Sequence, residues 1–228
     1  MAHPEHLGYL HRGLMAWSRW RALNPDVRPD LTDAQLSEAE LGLTDLRNVN
    51  LSGADLSGAN LIGADLSGAN LRLADLSGAN LIGTNLREAS LREADLNCAQ
   101  LHRADLSYAN LMETNLAHGN LCQSYLYCAW LVGACLYSAD LSQARARGIH
   151  CSQVYLVRAN LSQLDGVEAD FSWSNLSRAN VEGANLRAAS LRGAKCDRTR
   201  FKFAQLEEAD IELAELDKAE FGDMQRPT

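Results

Sequence analysis

ADLSGANLIGADLSGANL, residues 54–71, is the stretch that decides how this chain folds. A large residue, Leu, recurs at every fifth position. A small one, Ala, stands two places before it, and Asp or Asn lies between them. Extended in both directions, the period runs from position 31 to position 221 as 39 consecutive centres without insertion or deletion, 30 of them Leu. The other centres are Phe171, Phe201, Phe221, Val181, Ile211, Cys151, Cys196, Ala146 and Gly166, so all but Gly166 supply apolar filler. Two places before the centres, Ala occupies 27 of 38 positions and Thr, Ser or Gly seven more.

A five-residue period fits neither regular element. On an α-helix it rotates by roughly 140° per repeat, so the leucines would spiral around the axis instead of forming a stripe. On a straight strand an odd period would put successive leucines on opposite faces. The chain must therefore turn once per repeat, with the small residue and Leu facing inward, the Asp or Asn facing outward, and the next two residues making a corner. Ser-Gly pairs at 52–53, 57–58, 67–68 and 77–78 are turn chemistry. Coils that stack Leu on Leu form a solenoid.

The tandem A(D/N)LxG motif of residues 54–71 resembles the pentapeptide-repeat proteins, and the likeness covers residues 31–222. The resemblance implies an all-β solenoid, a right-handed quadrilateral parallel β-helix with four repeats per coil. On that basis 39 repeats make just under ten coils, a rod ~47 Å long. The expected organisation is an N-terminal capping helix and connector over 1–30, the β-helix over 31–222 and a tail over 223–228.

Before the repeats, Leu7, Leu10, Leu14 and Trp17 recur at three- or four-residue spacing, followed by Trp20 and Leu23 and then Asn24-Pro25. The pattern predicts one amphipathic helix over roughly residues 5–23. Its apolar face would cover the first coil, as in many members of the family. A membrane-surface or partner-docking helix is the alternative, disfavoured by a basic face too sparse for a bilayer. At the other end only seven residues follow Phe221, and an uncovered last coil is expected around Ile211, Leu216 and Phe221. Between 144 and 168 large and small residues trade places, as in Leu164/Gly166 and Ile149/Cys151, which reads as a locally reshaped coil or, in a functional reading, a recognition bulge.

Composition bounds the function. In 228 residues, 46% hydrophobic, no apolar run approaches the ~20 residues of a membrane span. The start, MAHPEHLGYLHRGLMAWSRW, has no basic leader followed by an apolar core, so a cytoplasmic protein is expected, with its six cysteines as free thiols. No P-loop, GxSxG, HExxH or dinucleotide fingerprint occurs, and a filled core offers no cavity, so neither catalysis nor a cofactor is expected. Cys98, His102, His118 and Cys122 have the composition of a zinc site, but 98 and 102 fall too far apart along one side for a tetrahedral ion, and no metal is expected. Cys151 and Cys196 sit at centres and read as packing residues, with His150 pointing away from Cys151.

Tyr108, Tyr125, Tyr127, Trp130, Tyr137, Tyr155 and Trp173 all fall at outward positions in the middle coils. Exposed Tyr and Trp favour protein interfaces, which makes Tyr125, Tyr127, Trp130, Tyr137, Tyr155 and Trp173 a candidate partner surface. Charge is unevenly placed: residues 207–228 hold eight acids against Lys218 and Arg226, a net of -6 within a total of -8. A basic belt, Arg192, Lys195, Arg198, Arg200 and Lys202, precedes them. The sequence thus predicts a non-enzymatic rigid scaffold or protein-interaction module, without a membrane span or direct nucleic-acid binding. A weak tail-to-tail homodimer through Ile211, Leu216 and Phe221 is expected. The alternative that the resemblance implies is a DNA mimic that binds DNA gyrase or topoisomerase, for which the Asp55–Asp75–Asp95 column is the nearest feature to a phosphate row. The near-neutral body of the rod weakens it, as does the lack of the C-terminal dimerising helix or projecting loops common in those relatives.

Overall fold

The computed structural model describes residues 1–222; the expected tail over 223–228 lies outside the described residues. The repeats wind into a right-handed quadrilateral β-helix. Each side of each coil contributes one parallel bridge to the residue 20 positions on, from Asp30↔Asn50 to Arg200↔Glu220 without a register break. The four sides are numbered here from the first coil: Asp30 opens the first face, Gln35 the second, Glu40 the third and Asp45 the fourth.

Within a repeat the local geometry follows from where the backbone groups find partners. The centre donates to the coil above, as Leu56 N to Asp75 O at 2.7 Å, and the turn closes when Ala59 N donates to Leu56 O at 3.0 Å. The second corner residue is left-handed from Asp33 to Leu213, for example Gly58 at φ 63°, but also Leu73 at 58° and Tyr108 at 62°. For a non-glycine residue that conformation costs ~1–2 kcal/mol. The corner N–H partly offsets this by bonding the next coil, as Tyr108 N does to Tyr127 O at 2.8 Å.

The Asp/Asn position does more than face outward. Its Oδ1 accepts the N–H of the first corner residue, as Asp55 does from Ser57 at 3.0 Å, and at several places where Asn stacks on Asn or Asp its amide donates one coil down. Asn70 Nδ2 reaches Asn50 Oδ1 at 2.9 Å, and Asn115 Nδ2 reaches Asp95 Oδ1 at 2.9 Å. The Ser57 hydroxyl and N–H together hold the Asp55 carboxyl below its ordinary range. Inside, leucine centres and their alanine partners form one continuous core, with Leu46, Leu51, Leu56 and Leu61 fully buried.

The swapped stretch keeps the core filled. Leu164 is buried beside Gly166, where a Cβ would lie 3.0 Å from both Leu164 Cδ2 and Leu186 Cδ2. Ile149 and Cys151 are likewise both buried, so this coil is reshaped without projecting from the rod.

At the N-terminus the single expected helix is two: α1, Pro4–His11, and α2, Leu14–Leu23. Gly13 separates them at φ 89°, ψ 176°, a conformation open essentially to glycine alone, and the periodic apolar pattern concealed that break. Both pack as a cap. Leu10, Trp17 and Trp20 are buried, and donors from this segment satisfy first-coil carbonyls that have no coil beneath them. His3 N donates to Asp30 O at 2.9 Å, Trp17 Nε1 to Asp45 O at 2.7 Å and Arg21 Nη2 to Arg47 O at 2.9 Å. No helix among the described residues is long and apolar enough to cross a membrane.

Candidate functional site

The outward positions of the middle coils carry what chemistry this surface has. Trp173, Tyr108, Trp130 and Tyr155 are 59%, 52%, 47% and 44% exposed, and Tyr125, Tyr127 and Tyr137 are half-buried. They do not gather into one flat patch. Tyr125 lies on the fourth face, Tyr127 on the corner after it, Trp130 on the first face, Trp173 on the next corner, Tyr155 on the second face and Tyr137 on the corner beyond. The result is a band wrapped around three faces. The third face of the same coils stays polar, with Asn160 Nδ2 donating to Asp140 Oδ1 at 3.0 Å.

Contacts between coils hold the band in place. Tyr137 and Tyr155 stack at 6.2 Å, His118 meets Tyr137 edge-on at 5.4 Å, and Arg158 Nη1 donates to Tyr137 Oη at 3.1 Å. Trp130 stacks on His150 at 4.1 Å, so His150 does face outward, away from Cys151. The Trp173 indole leans over Gly193, where a Cβ would come within 2.5 Å of the ring. Aromatic groups fixed by such stacking lose little further freedom when a partner covers them.

The cysteine and histidine columns bring no metal site together: among the described residues no group of three or more His, Cys, Asp or Glu is placed to hold an ion. All six cysteines are free. Burial pushes the Cys196 thiol up to about 12 and raises that of Cys151 further, so neither is a reactive thiolate.

The C-terminal coil departs from expectation. Leu216 and Phe221 are buried at 6% and 9% exposure, because both point to the axis and Phe221 stacks on Phe201 at 5.2 Å. Ile211 is partly covered, and the exposed apolar groups are instead the corner residues Phe203 and Leu213, at 62% and 64%. No sequence signal marked them, since corner positions elsewhere also carry exposed apolar residues, Leu43 and Leu73 among them. Part of the acidic charge is met within the chain, since Arg192 pairs with Glu212 and Asp210. Ser107, a first corner residue on the fourth side, is buried at 1% with its Oγ unpartnered.

A family model described as pentapeptide repeats matches residues 30–68, 69–107, 104–143, 134–165, 147–183, 167–201 and 184–223. Among solved structures the chain is similar to HetL, a pentapeptide repeat protein involved in heterocyst differentiation regulation from Nostoc sp. strain PCC 7120. The identity is 32% over 90% of this chain and 96% of that one, with a TM-score of 0.37. It is similar to QnrB1, a plasmid-mediated fluoroquinolone resistance protein, at 19% identity over 71% of this chain and 76% of that one, TM-score 0.49. A pentapeptide repeat protein from the Arabidopsis thaliana thylakoid lumen is 31% identical over 52% of this chain and 78% of that one, TM-score 0.28. No curated protein sequence matches the chain.

Proposed function

Because the chain belongs to the pentapeptide-repeat family, we propose that it is a non-enzymatic rigid scaffold that presents outward side chains to a protein partner. The observation that carries this reading is the aromatic band: Tyr125, Tyr127, Trp130, Tyr137, Tyr155 and Trp173 stand on a rod whose coils are bonded to one another on every side. Large aromatic groups held rigidly outside a filled core supply interface area at low entropic cost. A cytoplasmic setting agrees with six unpaired cysteines. The test is photocrosslinking in the native host from a benzoylphenylalanine placed at Trp130 or Tyr155, with Asn160 on the polar third face as control. A discrete protein adduct from the first two positions alone is expected; equal labelling from all three would overturn the reading.

The second reading, a DNA mimic acting on gyrase, draws on the Asp55–Asp75–Asp95 column, where consecutive bridges stack three carboxylates. That column continues as Asn115, Cys135 and Tyr155, so the row of negative charge ends after three coils. Micromolar inhibition of gyrase supercoiling with strong salt dependence would promote this reading; none is expected.

The scaffold reading includes a weak tail-to-tail pairing of two copies around Ile211, Leu216 and Phe221, to which exposed Leu213 adds apolar surface. Light scattering of wild type and Leu213→Glu at low and high salt tests it. A monomeric wild type under all conditions would end it.

A further inference from the structure

Several arginines of this rod pair with carboxylates. Arg47 pairs with Asp45, Arg72 with Glu93, Arg87 with Asp105, Arg92 with Glu113 and Arg192 with Glu212. Arg103 and Arg145 are both exposed, neither has a carboxylate partner among the described residues, and no acid lines the cleft they share, whereas Arg147 and Arg187 share theirs with Glu168 and Glu208. They line one surface cleft of about 350 Å³ between the third and fourth faces, together with Gln123, Tyr125 and Gln143.

Neutral contacts organise this cleft. Arg103 Nε donates to Gln123 Oε1 at 2.9 Å, and Gln123 Nε2 donates to Gln143 Oε1 at 2.9 Å, a ladder climbing three coils along the corner. The first of these bonds uses Arg103 Nε and leaves both Nη atoms to a ligand. On the fourth face Arg145 lies over the Tyr125 ring, 5.2 Å from its centroid, which orients the guanidinium plane without neutralising it. Two positioned, uncompensated guanidiniums on either side of a concavity are suited to bidentate recognition of a carboxylate or phosphate.

The column itself decides between short and long anions. Along the fourth face the bridges run Asp105↔Tyr125, Tyr125↔Arg145 and Arg145↔Asp165, so an aspartate bounds the basic window at each end, the two about 14 Å apart at the spacing of parallel strands. A nucleic-acid strand following the rod would carry its phosphates over those aspartates. A short peptide segment fits between them. We propose that the Arg103–Arg145 cleft binds a short acidic segment of a partner protein, its carboxylates held by the two guanidiniums and its backbone amides by Gln123 and Gln143. This deepens the scaffold reading, on which it rests, by naming the chemistry of the partner.

The test uses the full-length protein and, as probe, a fluorescein-labelled peptide with two aspartates and two glutamates, followed by anisotropy. Wild type is expected to bind, and Arg103→Gln/Arg145→Gln to bind about tenfold or more weakly with an unchanged urea midpoint. Arg178→Gln, which removes an exposed arginine from a distant corner, should bind as wild type. Three results would overturn the proposal: no wild-type binding at about 1 mM protein, equal binding by the double variant, or an oligothymidylate of matched charge that binds more tightly through the same two arginines. If the cleft fails while photocrosslinks from Trp130 persist, the scaffold reading stands alone. If those crosslinks also vanish, both fall.

Discussion

The Ser174 hydroxyl stands inside the turn that leads to Val154: Oγ accepts the Val154 N–H at 2.9 Å and donates to the Cys151 carbonyl at 2.6 Å. In the neighbouring repeat the same turn closes on itself, with Ala159 N donating directly to Leu156 O at 3.0 Å. Ser174 therefore splices one coil to the next by opening a turn. Ser174→Ala leaves two buried backbone groups without that bridge, and a loss of ~1–3 kcal/mol is expected in urea unfolding. Ser124 occupies the same place in its own repeat, buried with its Oγ unpartnered, so Ser124→Ala should be neutral or stabilising. If the two variants shift the midpoint in the same direction, the bridge contributes nothing.

The inward assignment of the centres is open to an equally direct comparison. Leu111 is fully buried, and Leu111→Asp places a carboxylate where no partner exists, so unfolding or aggregation is expected. Gln153 is exposed at φ 58°, a conformation that aspartate tolerates, and Gln153→Asp should change stability by less than about 0.5 kcal/mol. Ser107→Asp belongs with the first variant and not the second, since Ser107 is buried at 1%. Matching midpoints for Leu111→Asp and Gln153→Asp would contradict the core described above.

The exchange of large and small residues at 164 and 166 makes a coupled pair. Gly166→Leu alone drives a side chain into Leu164 and Leu186, whose Cδ2 atoms already lie 3.0 Å from where a Cβ would stand. Leu164→Ala alone leaves a void costing ~2–5 kcal/mol. Together the two changes restore the ordinary pattern of the chain, and the double variant should be more stable than the sum of the single effects implies, by ~1–3 kcal/mol. Strict additivity in urea unfolding would show that the swap is not one packing unit.

How much was legible in the sequence depended on what each feature rests upon. The coil was readable because the five-residue period reports one inward Leu per side, and no alternative periodicity fits 39 centres. The helix break at Gly13 was not, because an apolar pattern shows which residues are buried and not where the backbone turns. The Ser174 bridge was hidden for another reason: Ser replaces Ala at two such positions, 124 and 174, and only the backbone geometry shows whose hydroxyl finds partners. The Arg103–Arg145 cleft joins residues 42 positions apart in the chain. Folding 20 residues to a coil would have set them two coils apart beside one corner of the rod, but whether a carboxylate occupied the space between them depended on side-chain directions.

The cap is tied to the first coil by a carboxylate whose titration gives a signed prediction. Arg47 donates Nε to Asp45 Oδ1 and Nη2 to Oδ2, both at 2.8 Å, and Arg21 of α2 approaches Oδ1 at 3.5 Å. The hydrogen bonds from Arg47 chiefly hold the Asp45 carboxyl down to about 2. A carboxyl depressed by folding stabilises the native state above its unfolded value near 4, and the contribution is lost as pH falls through the folded value. Asp45→Asn should therefore cost ~1–2 kcal/mol near neutrality, with the gap from wild type closing between about pH 4 and about pH 2. Because Arg21 also binds the Arg47 carbonyl and Trp17 the Asp45 carbonyl, the loss should show first in α2. Hydrogen exchange of the α2 amides in wild type and variant reads it. If wild type and variant are equally stable throughout that range, Asp45 acts only through its backbone carbonyl, which asparagine keeps, and the charge cluster beneath the cap is surplus to holding it down.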